Sequence, residues 1–379
     1  MKAWLIGAGM LAALPALAQQ MPPAIPFDSN ANFLRLPTGM YFGEAAGVAV
    51  DSKKHIYVFS RGNTSGPNFG AAASQILEFT PDGSFIREIG HNLYGFGYAH
   101  AVRVDRHDNL WAVDKGTDTI VKFSRDANRV EMIFGRRQEA SGDTVPWKLR
   151  MDPPLPHENG RFRQPTDVTF DSKDNAYFSD GYVNARVAKV DKNGKWLMSF
   201  GEHGKAEGQF DTPHSITIDQ YDHIYVADRN NQRVQVFDTN GKFLRAISVV
   251  DVPFSKDAQP AIGNPLPPDK YKTAGTQGPG APWAVCIPPK TDVLYFSDAF
   301  PGRIYKTTLD GKLLGVLGEA GKRPKEFGWI HEMACPSENE LYVAEVLNWR
   351  VQKLTLHPSK AEMANTNGGA RATRASATR

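Results

Sequence analysis

Residues 164–237 read QPTDVTFDSKDNAYFSDGYVNARVAKVDKNGKWLMSFGEHGKAEGQFDTPHSITIDQYDHIYVADRNNQRVQVF. The stretch holds two copies of one pattern: a short alternating apolar strand, a polar turn, a second strand that ends in Asp, and then a further pair of strands. Asn193-Gly194 and Asn240-Gly241 are dipeptides that favour tight hairpin turns. Each copy therefore predicts a four-stranded antiparallel meander.

The same pattern recurs through most of the chain. Six segments carry it, at residues 47–62, 100–116, 166–182, 214–230, 283–300 and 331–347. A four-stranded unit of roughly 40 residues cannot bury both of its faces alone, so neighbouring units must stack on one another. The sequence therefore predicts an all-β fold, a six-bladed β-propeller with one repeat in each blade.

The two ends of the repeat array indicate how the ring closes. The sixth repeat stops after three strands, at about RVQKLTL (residues 350–356), and a strand-like piece, ANFLRLP (residues 31–37), precedes the first repeat. We expect this N-terminal strand to complete the last blade, because pairing removes an exposed sheet edge. The propeller is then one domain that covers residues 29–357.

Two terminal segments lie outside the expected propeller. Residues 1–18 combine a basic start, an apolar run and a small-residue cleavage triplet, which is typical of a cleaved secretory signal peptide. An uncleaved N-terminal anchor is the alternative. Residues 358–379 are small, polar and basic, and we expect a disordered tail there. These features predict a secreted or periplasmic protein whose mature part has no membrane span.

Composition narrows the possible partners. The chain has 379 residues, 22% of them charged, and its net charge is 44 − 41 = +3. This balance is typical of a folded soluble domain, and no long basic run precedes the C-terminal tail. We therefore expect no nucleic-acid partner. We also expect a monomer.

Alignment of the repeats places histidine at the first position of alternate blades. The six first positions are Ala46, His100, Thr166, His214, Trp283 and His331. In a six-bladed ring the second, fourth and sixth blades lie about 120° apart, and the first strand of each blade lines the central channel. Three imidazoles that converge on one axis are the protein ligands of an open zinc site. The alternative is three pore histidines held by water and neighbouring polar groups.

A second group of polar residues follows the second strand of the repeats. Arg61 and Arg229 occupy equivalent places in blades one and four, where two guanidiniums would suit a substrate that carries a carboxylate. Either arginine could instead bridge blades through Asp180 or Asp228. Tyr182 follows an Asp-Gly pair, and a phenol near zinc and an arginine can act as a general base. A packed tyrosine with a bonded hydroxyl is the alternative.

Cysteine is rare after the leader. Cys286 and Cys335 fall in the first strands of neighbouring blades but one step out of register with each other. Two cysteines are too few for a disulfide framework. The register favours two buried, unreactive thiols, and a disulfide between them is the alternative.

The repeats resemble the NHL family of six-bladed propellers, and residues 164–237 are similar to the catalytic core of the peptidyl-α-hydroxyglycine α-amidating lyases. The motifs that carry this resemblance are QPTDV, SDGY-x-N-x-R, PHS and VADR-x-N-x-R. The resemblance implies a lyase that cleaves the carbinolamide C–N bond of a peptidyl- or N-acyl-α-hydroxyglycine. The products would be an amide and glyoxylate.

The resemblance also implies roles for individual residues. The zinc ligands it implies are His100, His214 and His331, the same three that the repeat register selects. The catalytic residues it implies are Tyr182, Arg61 and Arg229. A structural calcium ion is also implied, with ligands at the backbone carbonyls of Val48 and Val102 and at the side chain of Glu332, where the family has Asp.

Two other classes of function remain open at this point. A non-catalytic NHL propeller would use one rim to bind a peptide, a glycan or a protein, with the metal serving only to pin the ring. A calcium-dependent propeller lactonase would need carboxylate and amide ligands in the channel, whereas the register here offers imidazoles. The long insertions at residues 62–73, 138–161 and 252–282 are rich in Gly and Pro, and we expect them to shape the channel mouth.

Overall fold

The structure of the protein is a computed structural model that describes residues 20–62, 74–138, 155–261 and 277–357. The expected signal peptide at residues 1–18 and the expected tail at residues 358–379 lie outside the described residues. Residues 63–73, 139–154 and 262–276, which belong to the three long insertions, lie outside them as well.

The described strands form six four-stranded antiparallel sheets, one for each blade. The first strand in the chain, β1 (Phe27–Asn30), belongs to the last blade. Blade 1 contains β2 (Ala45–Val50), β3 (Ile56–Ser60), β4 (Gln75–Phe79) and β5 (Phe85–Ile89). Blade 2 contains β6 (Ala99–Val104), β7 (Leu110–Asp114), β8 (Thr119–Phe123) and β9 (Val130–Gly135). Blade 3 contains β10 (Asp167–Phe170), β11 (Ala176–Asp180), β12 (Arg186–Val190) and β13 (Trp196–Phe200).

The other three blades follow in the same order. Blade 4 contains β14 (Pro213–Ile218), β15 (Ile224–Asp228), β16 (Arg233–Phe237) and β17 (Phe243–Ile247), with a short 3₁₀ turn at Arg229–Asn231. Blade 5 contains β18 (Val285–Cys286), β19 (Val293–Ser297), β20 (Ile304–Thr308) and β21 (Leu313–Leu317). A parallel pair, β22 (Glu319–Ala320) and β23 (Glu326–Phe327), leads into blade 6, which contains β24 (Ile330–Ser337), β25 (Glu340–Glu345) and β26 (Arg350–Leu356). The prediction of an all-β propeller with six blades is confirmed.

The N-terminal strand supplies the fourth strand of blade 6. Strand β1 pairs antiparallel with β26, and Phe27 lies opposite Leu356. The prediction that residues 31–37 form this strand is wrong, because the pairing segment lies four residues earlier. Within residues 31–37, Leu34 instead packs into the core between blades 6 and 1.

Apolar side chains fill the space between adjacent blades. The described part of the chain contains six such clusters, one at each boundary between neighbouring blades. Between blades 3 and 4, for example, Tyr177 and Val187 pack against Ile224 and Phe237, and all four are fully buried. Successive residues of a strand point to opposite faces, so a strand in the middle of a blade is buried on both sides. This explains the fully buried second strands, such as β3 and β15.

An acidic residue at the end of the second strand braces the loop beside it in five blades. The five residues are Asp114, Asp180, Asp228, Asp298 and Glu345. The Asp228 carboxylate accepts the backbone N–H of Asp211 at 2.7 Å and the Nε–H of Arg233 at 2.8 Å. Asp180 pairs with the fully buried Arg186 at 3.1 Å. Because Asp180 and Asp228 pair with Arg186 and Arg233, they do not hold Arg61 or Arg229, which remain for other contacts.

Cys286 of β18 and Cys335 of β24 form a disulfide that joins blades 5 and 6, with their Cα atoms 6.2 Å apart. The expectation of two separate thiols is therefore wrong. The register of β24 against its partner strand shifts between Ala334 and Ser337. Counting positions from the start of the repeat therefore misplaces Cys335.

Among the described residues there is no helix that has both the length and the apolar character needed to cross a membrane.

Candidate metal and active site

The three histidines selected by the repeat register meet on the channel axis. His100 lies on β6, His214 on β14 and His331 on β24, and all three side chains are buried. One ring nitrogen from each lies within 4.8 Å of those of the other two. Their ring centroids are 4.5, 4.7 and 4.9 Å apart. Among the described residues this is the group of His, Cys, Asp or Glu side chains that could hold a metal ion.

Each imidazole is oriented by a backbone carbonyl of the next blade. The Nδ1 atoms of the three rings lie 2.6, 2.7 and 2.8 Å from the carbonyl oxygens of Thr166, Trp283 and Ala46, respectively. These acceptors are the first positions of blades 3, 5 and 1, so the odd-numbered blades orient the ligands of the even-numbered ones. A carbonyl only accepts, so Nδ1 carries the proton and Nε2 keeps the lone pair with which it can bind an ion on the axis.

The residues of this group fit a zinc ion. His214 Nε2 is buried and has no hydrogen-bond partner among the described residues, as expected for an atom that awaits a ligand. Burial, together with the neighbouring imidazoles and nearby guanidiniums, lowers the pKa of all three histidines well below the usual value of 6.5. They are therefore neutral at physiological pH, the state in which imidazole binds metals. Three such ligands with an open fourth position are typical of catalytic zinc.

Tyr182 lies beside the histidine ring. Its hydroxyl oxygen is 3.3 Å from His100 Nε2 and 3.4 Å from Arg229 Nη1. A Cβ atom at the preceding Gly181 would lie 2.0 Å from the carbonyl oxygen of Pro213 in the next blade. Only glycine allows this close approach of blades 3 and 4, which brings the phenol to the channel axis.

The charges around Tyr182 favour its phenolate form. Burial raises the pKa of the phenol, but the positive charges of Lys115, Arg229 and Arg61 more than reverse that effect and bring the pKa to about 8. A group with such a pKa can accept a proton near neutral pH.

Arg229 begins the 3₁₀ turn after β15, and its side chain is buried against aromatic rings. Its guanidinium carbon lies 4.3 Å from the ring centroid of Trp283 and 5.3 Å from that of Tyr182. Its Nε atom is buried and has no hydrogen-bond partner among the described residues. The aromatic faces hold the cation in place and leave donor capacity for a substrate carboxylate.

Arg61 follows β3 and lies at the same channel end. Its guanidinium carbon lies 3.9 Å from the ring centroid of Tyr98, and its Nε donates to the carbonyl of Ala99 at 3.2 Å. Its Nη1 atom also pairs with the half-exposed Glu44. Arg61 is therefore partly neutralised, whereas Arg229 has no carboxylate partner among the described residues.

Lys115 is a site residue to which the sequence analysis gave no role. It directly follows β7, at the position that Arg61 and Arg229 occupy after β3 and β15. Its Nζ lies 3.7 Å from the centroid of the Tyr182 ring. The repeat register could have indicated Lys115, because each of these three residues comes directly after the last residue of the second strand of its blade.

An aromatic wall flanks the histidine ring on the side of blades 5 and 6. The ring centroids of Trp283 and Trp329 are 5.1 Å apart, and that of Trp283 is 5.0 Å from that of His214. Trp329 adopts a left-handed backbone conformation with φ of 56°, which is rare for a bulky residue, and its indole nitrogen has no partner among the described residues. Conformations of this kind are concentrated at functional sites.

The donors implied for calcium do not fit that ion in this structure. Glu332 Oε2 accepts the backbone N–H groups of Val48 at 3.0 Å and Val102 at 3.1 Å, and Oε1 lies 2.9 Å from Arg103 Nε. Oε2 is thus satisfied by two backbone donors, whereas Oε1 has an ion-pair contact with the arginine but no hydrogen-bond partner among the described residues. Calcium needs about 6 to 8 oxygen ligands. A second cation beside the arginine would be repelled.

The fold and the histidine ring define a class: a six-bladed β-propeller with a candidate metal site in its channel. The family model described as NHL repeat matches residues 210–237, which contain the first three strands of blade 4. The crystal structure of virginiamycin B lyase from Staphylococcus aureus superposes with a TM-score of 0.52 and 13% identity, over 88% of this chain and all of that one (100%). At this identity the likeness concerns the fold alone.

Curated relatives place the chain near the amidating enzymes. It is 27% identical over 343 residues to peptidyl-glycine alpha-amidating monooxygenase B of Xenopus laevis, which covers 84% of this chain and 34% of the relative. It is 24% identical over 278 residues to peptidyl-alpha-hydroxyglycine alpha-amidating lyase 1 of Drosophila melanogaster, covering 70% of this chain and 46% of the relative. The chain thus spans less than half the length of these relatives. Its resemblance to NHL propellers and amidating lyases is confirmed.

Proposed function

We propose that this protein is a zinc-dependent lyase that cleaves a peptidyl- or N-acyl-α-hydroxyglycine into an amide and glyoxylate. The observation that carries the proposal is the convergence of three buried, neutral imidazole nitrogens within 4.8 Å beside a phenol with a lowered pKa. The names of the relatives support the same reaction class.

The cations of the channel suit the acidic end of this substrate. Arg229 has a buried donor without a partner among the described residues, so it binds the hydroxyglycine carboxylate, and Arg61, which lies over the Tyr98 ring, adds positive charge. A guanidinium can hold a carboxylate by two parallel hydrogen bonds. Such a pair fixes the orientation of the substrate α-carbon, which then lies between the arginine and the histidine ring. The acyl group then points towards the channel mouth.

Tyr182 moves the proton that the reaction requires. Its phenolate takes the proton from the α-hydroxyl, the hydroxyl oxygen forms the C=O bond of glyoxylate, and the C–N bond breaks with its electron pair going to nitrogen. The proton is returned to that nitrogen, which leaves as the amide, so no water, oxidant or reductant is consumed. When bound by His100, His214 and His331, zinc supplies Lewis-acid polarisation of oxygen.

We also propose that the protein works outside the cytoplasm. The leader-like residues 1–18 and the disulfide between Cys286 and Cys335 support this, because disulfides persist in oxidising compartments.

Matched histidine variants test the proposed function. His214→Ala should lose its zinc, measured by inductively coupled plasma mass spectrometry, and should lose amide formation, while the β-sheet circular dichroism stays unchanged. His223→Ala is the control, because that side chain is partly exposed and contacts Asp219 in a turn. Full zinc content and activity in His214→Ala would refute the site. Zinc retention in the wild type without any turnover would instead favour a binding module with a metal-pinned ring.

A further inference from the structure

Below the histidine ring, one buried polar cluster links all six blades across the channel. We call it the channel hub, and its members are Arg103, Asp167, Ser215 and Glu332. The proposed lyase chemistry does not involve these residues. They come from blades 2, 3, 4 and 6, at positions adjacent or close to the first residue of each repeat.

Arg103 forms the centre of the channel hub. Its Nε and Nη2 atoms donate to the two oxygens of Asp167 at 2.9 and 2.6 Å, a bidentate pair. Its Nη1 donates to the carbonyl of Met333 at 3.1 Å, and Nη2 is also 3.4 Å from Ser215 Oγ. Glu332 completes the set, with Oε1 2.9 Å from Nε. One guanidinium thus contacts three other blades.

The two carboxylates extend these contacts to the rest of the ring. Glu332 Oε2 accepts the backbone N–H of Val48 in blade 1 and that of Val102 in blade 2. Asp167 accepts the Ser215 hydroxyl at 2.8 Å, and Ser215 Oγ in turn accepts the N–H of Val285 in blade 5 at 3.3 Å. Every blade therefore has at least one group in the network.

The backbone of blade 1 is shaped around this cluster. A Cβ atom at Gly47 would lie 2.6 Å from Glu332 Oε2 and 2.8 Å from the nitrogen of Val102. No side chain can occupy that position without moving the carboxylate away from its donors. The glycine therefore lets blade 1 close onto Glu332.

We propose that Arg103 is the structural cation of this channel, and that its guanidinium takes the place that a bound calcium ion would otherwise fill. Two buried carboxylates need a positive partner, since removing the cation from such a group leaves uncompensated charge in the interior. Arg103 supplies this charge as part of the chain. Ring closure therefore does not depend on calcium, and the inference stands whether or not the channel carries lyase activity.

Metal analysis of the wild type tests this directly. Metal-depleted protein that has been given one equivalent of zinc is dialysed against calcium at about 1 mM, the weak end of the range for extracellular calcium sites. We expect zinc but no stoichiometric calcium in the protein, and a melting temperature within about 1 °C of that in calcium-free buffer. One bound calcium per chain with a raised melting temperature would overturn the proposal.

Removal of the cation gives the complementary result. Arg103→Ala should lower the melting temperature by about 4 to 7 °C. When calcium is the only metal ion added, the melting temperature of this variant should rise by several degrees, because calcium pairs with the two carboxylates. Arg233→Ala is the matched control, because Arg233 and Arg103 have similar side-chain exposure, 16% and 15%, and each pairs with a buried aspartate. It should lose stability without any response to calcium.

An Arg103→Ala variant with unchanged stability would also overturn the proposal. If that variant fails to fold, Arg103→Lys provides the second measurement. It keeps the charge but loses the bidentate geometry, so we expect a lowered melting temperature and still no calcium binding. Calcium binding by Arg103→Lys would contradict the assignment of the cation to this side chain.

Discussion

The ionisation of Tyr182 can be measured without any substrate. In the metal-depleted protein, burial raises the pKa of this phenol, whereas Lys115, Arg229 and Arg61 lower it, with a net pKa of about 8. The surroundings of several other tyrosines raise the phenol pKa instead of lowering it. Burial and nearby aspartates or glutamates raise the pKa of Tyr57, and burial raises that of Tyr342, far above the usual value of 10.

The difference is large enough to resolve by titration. At pH 9 a phenol with a pKa of about 8 is roughly 90% ionised, whereas an ordinary tyrosine is roughly 10% ionised. Because the folded-state pKa of Tyr182 lies below its unfolded value, its contribution to stability is present above about pH 10 and is lost as the pH falls through about 8. The phenolate absorbance in the near ultraviolet should therefore show a step of one tyrosine centred near pH 8.

Variants assign this step to its residue. Tyr182→Phe should remove it, whereas Tyr221→Phe should leave it unchanged, since Tyr221 is 60% exposed and lies away from the channel cations. Lys115→Met should move the midpoint upward, because the ammonium 3.7 Å from the ring centroid favours the phenolate. A wild type without a step below about pH 9, or a step that survives Tyr182→Phe, would refute the electrostatic argument.

Three further predictions concern binding and stability. Arg229→Ala should raise KM for an N-acyl-α-hydroxyglycine by about 10²-fold or more, because the carboxylate loses a buried charged partner, and an unchanged KM in steady-state assays would place the carboxylate elsewhere. Replacing Cys286 and Cys335 together by Ser should lower stability by about 4 kcal/mol for a separation of 49 residues, or roughly 6 °C by calorimetry, whereas an unshifted transition would count against the crosslink. Gly181→Ala should lower the melting temperature by several degrees, because its Cβ would collide with the Pro213 carbonyl; Gly95→Ala is the comparison, since φ is not positive there and the nearest atoms are side-chain atoms at 3.2 and 3.4 Å.

The ring and its histidines could be predicted because both follow from a repeat. Each blade begins at an equivalent position, so a residue type that recurs at that position must recur around the channel. The repeat register alone identifies His100, His214 and His331 as residues that meet on the channel axis. The same register contained Lys115, but a single lysine among arginines did not by itself indicate a role.

Other features could not be predicted because they depend on local departures from the repeat. Cys335 meets Cys286 because β24 changes register, and the closing strand begins at Phe27 because Leu34 packs into a neighbouring core. Arg103 pairs with Asp167 and Glu332, which are far away in sequence. A contact across the channel between such distant residues produces no recognisable pattern in the local sequence. Such contacts become visible only when the blades are placed around one axis.

A product assay decides whether the channel carries out the proposed metal-dependent cleavage. The purified protein is incubated with N-benzoyl-α-hydroxyglycine, with and without a chelator followed by zinc, and benzamide and glyoxylate are both quantified. The account predicts equal amounts of the two products, loss of both on chelation, and recovery of both when zinc is restored. Absence of product from folded, zinc-loaded protein, or turnover that survives complete removal of the metal, would contradict it.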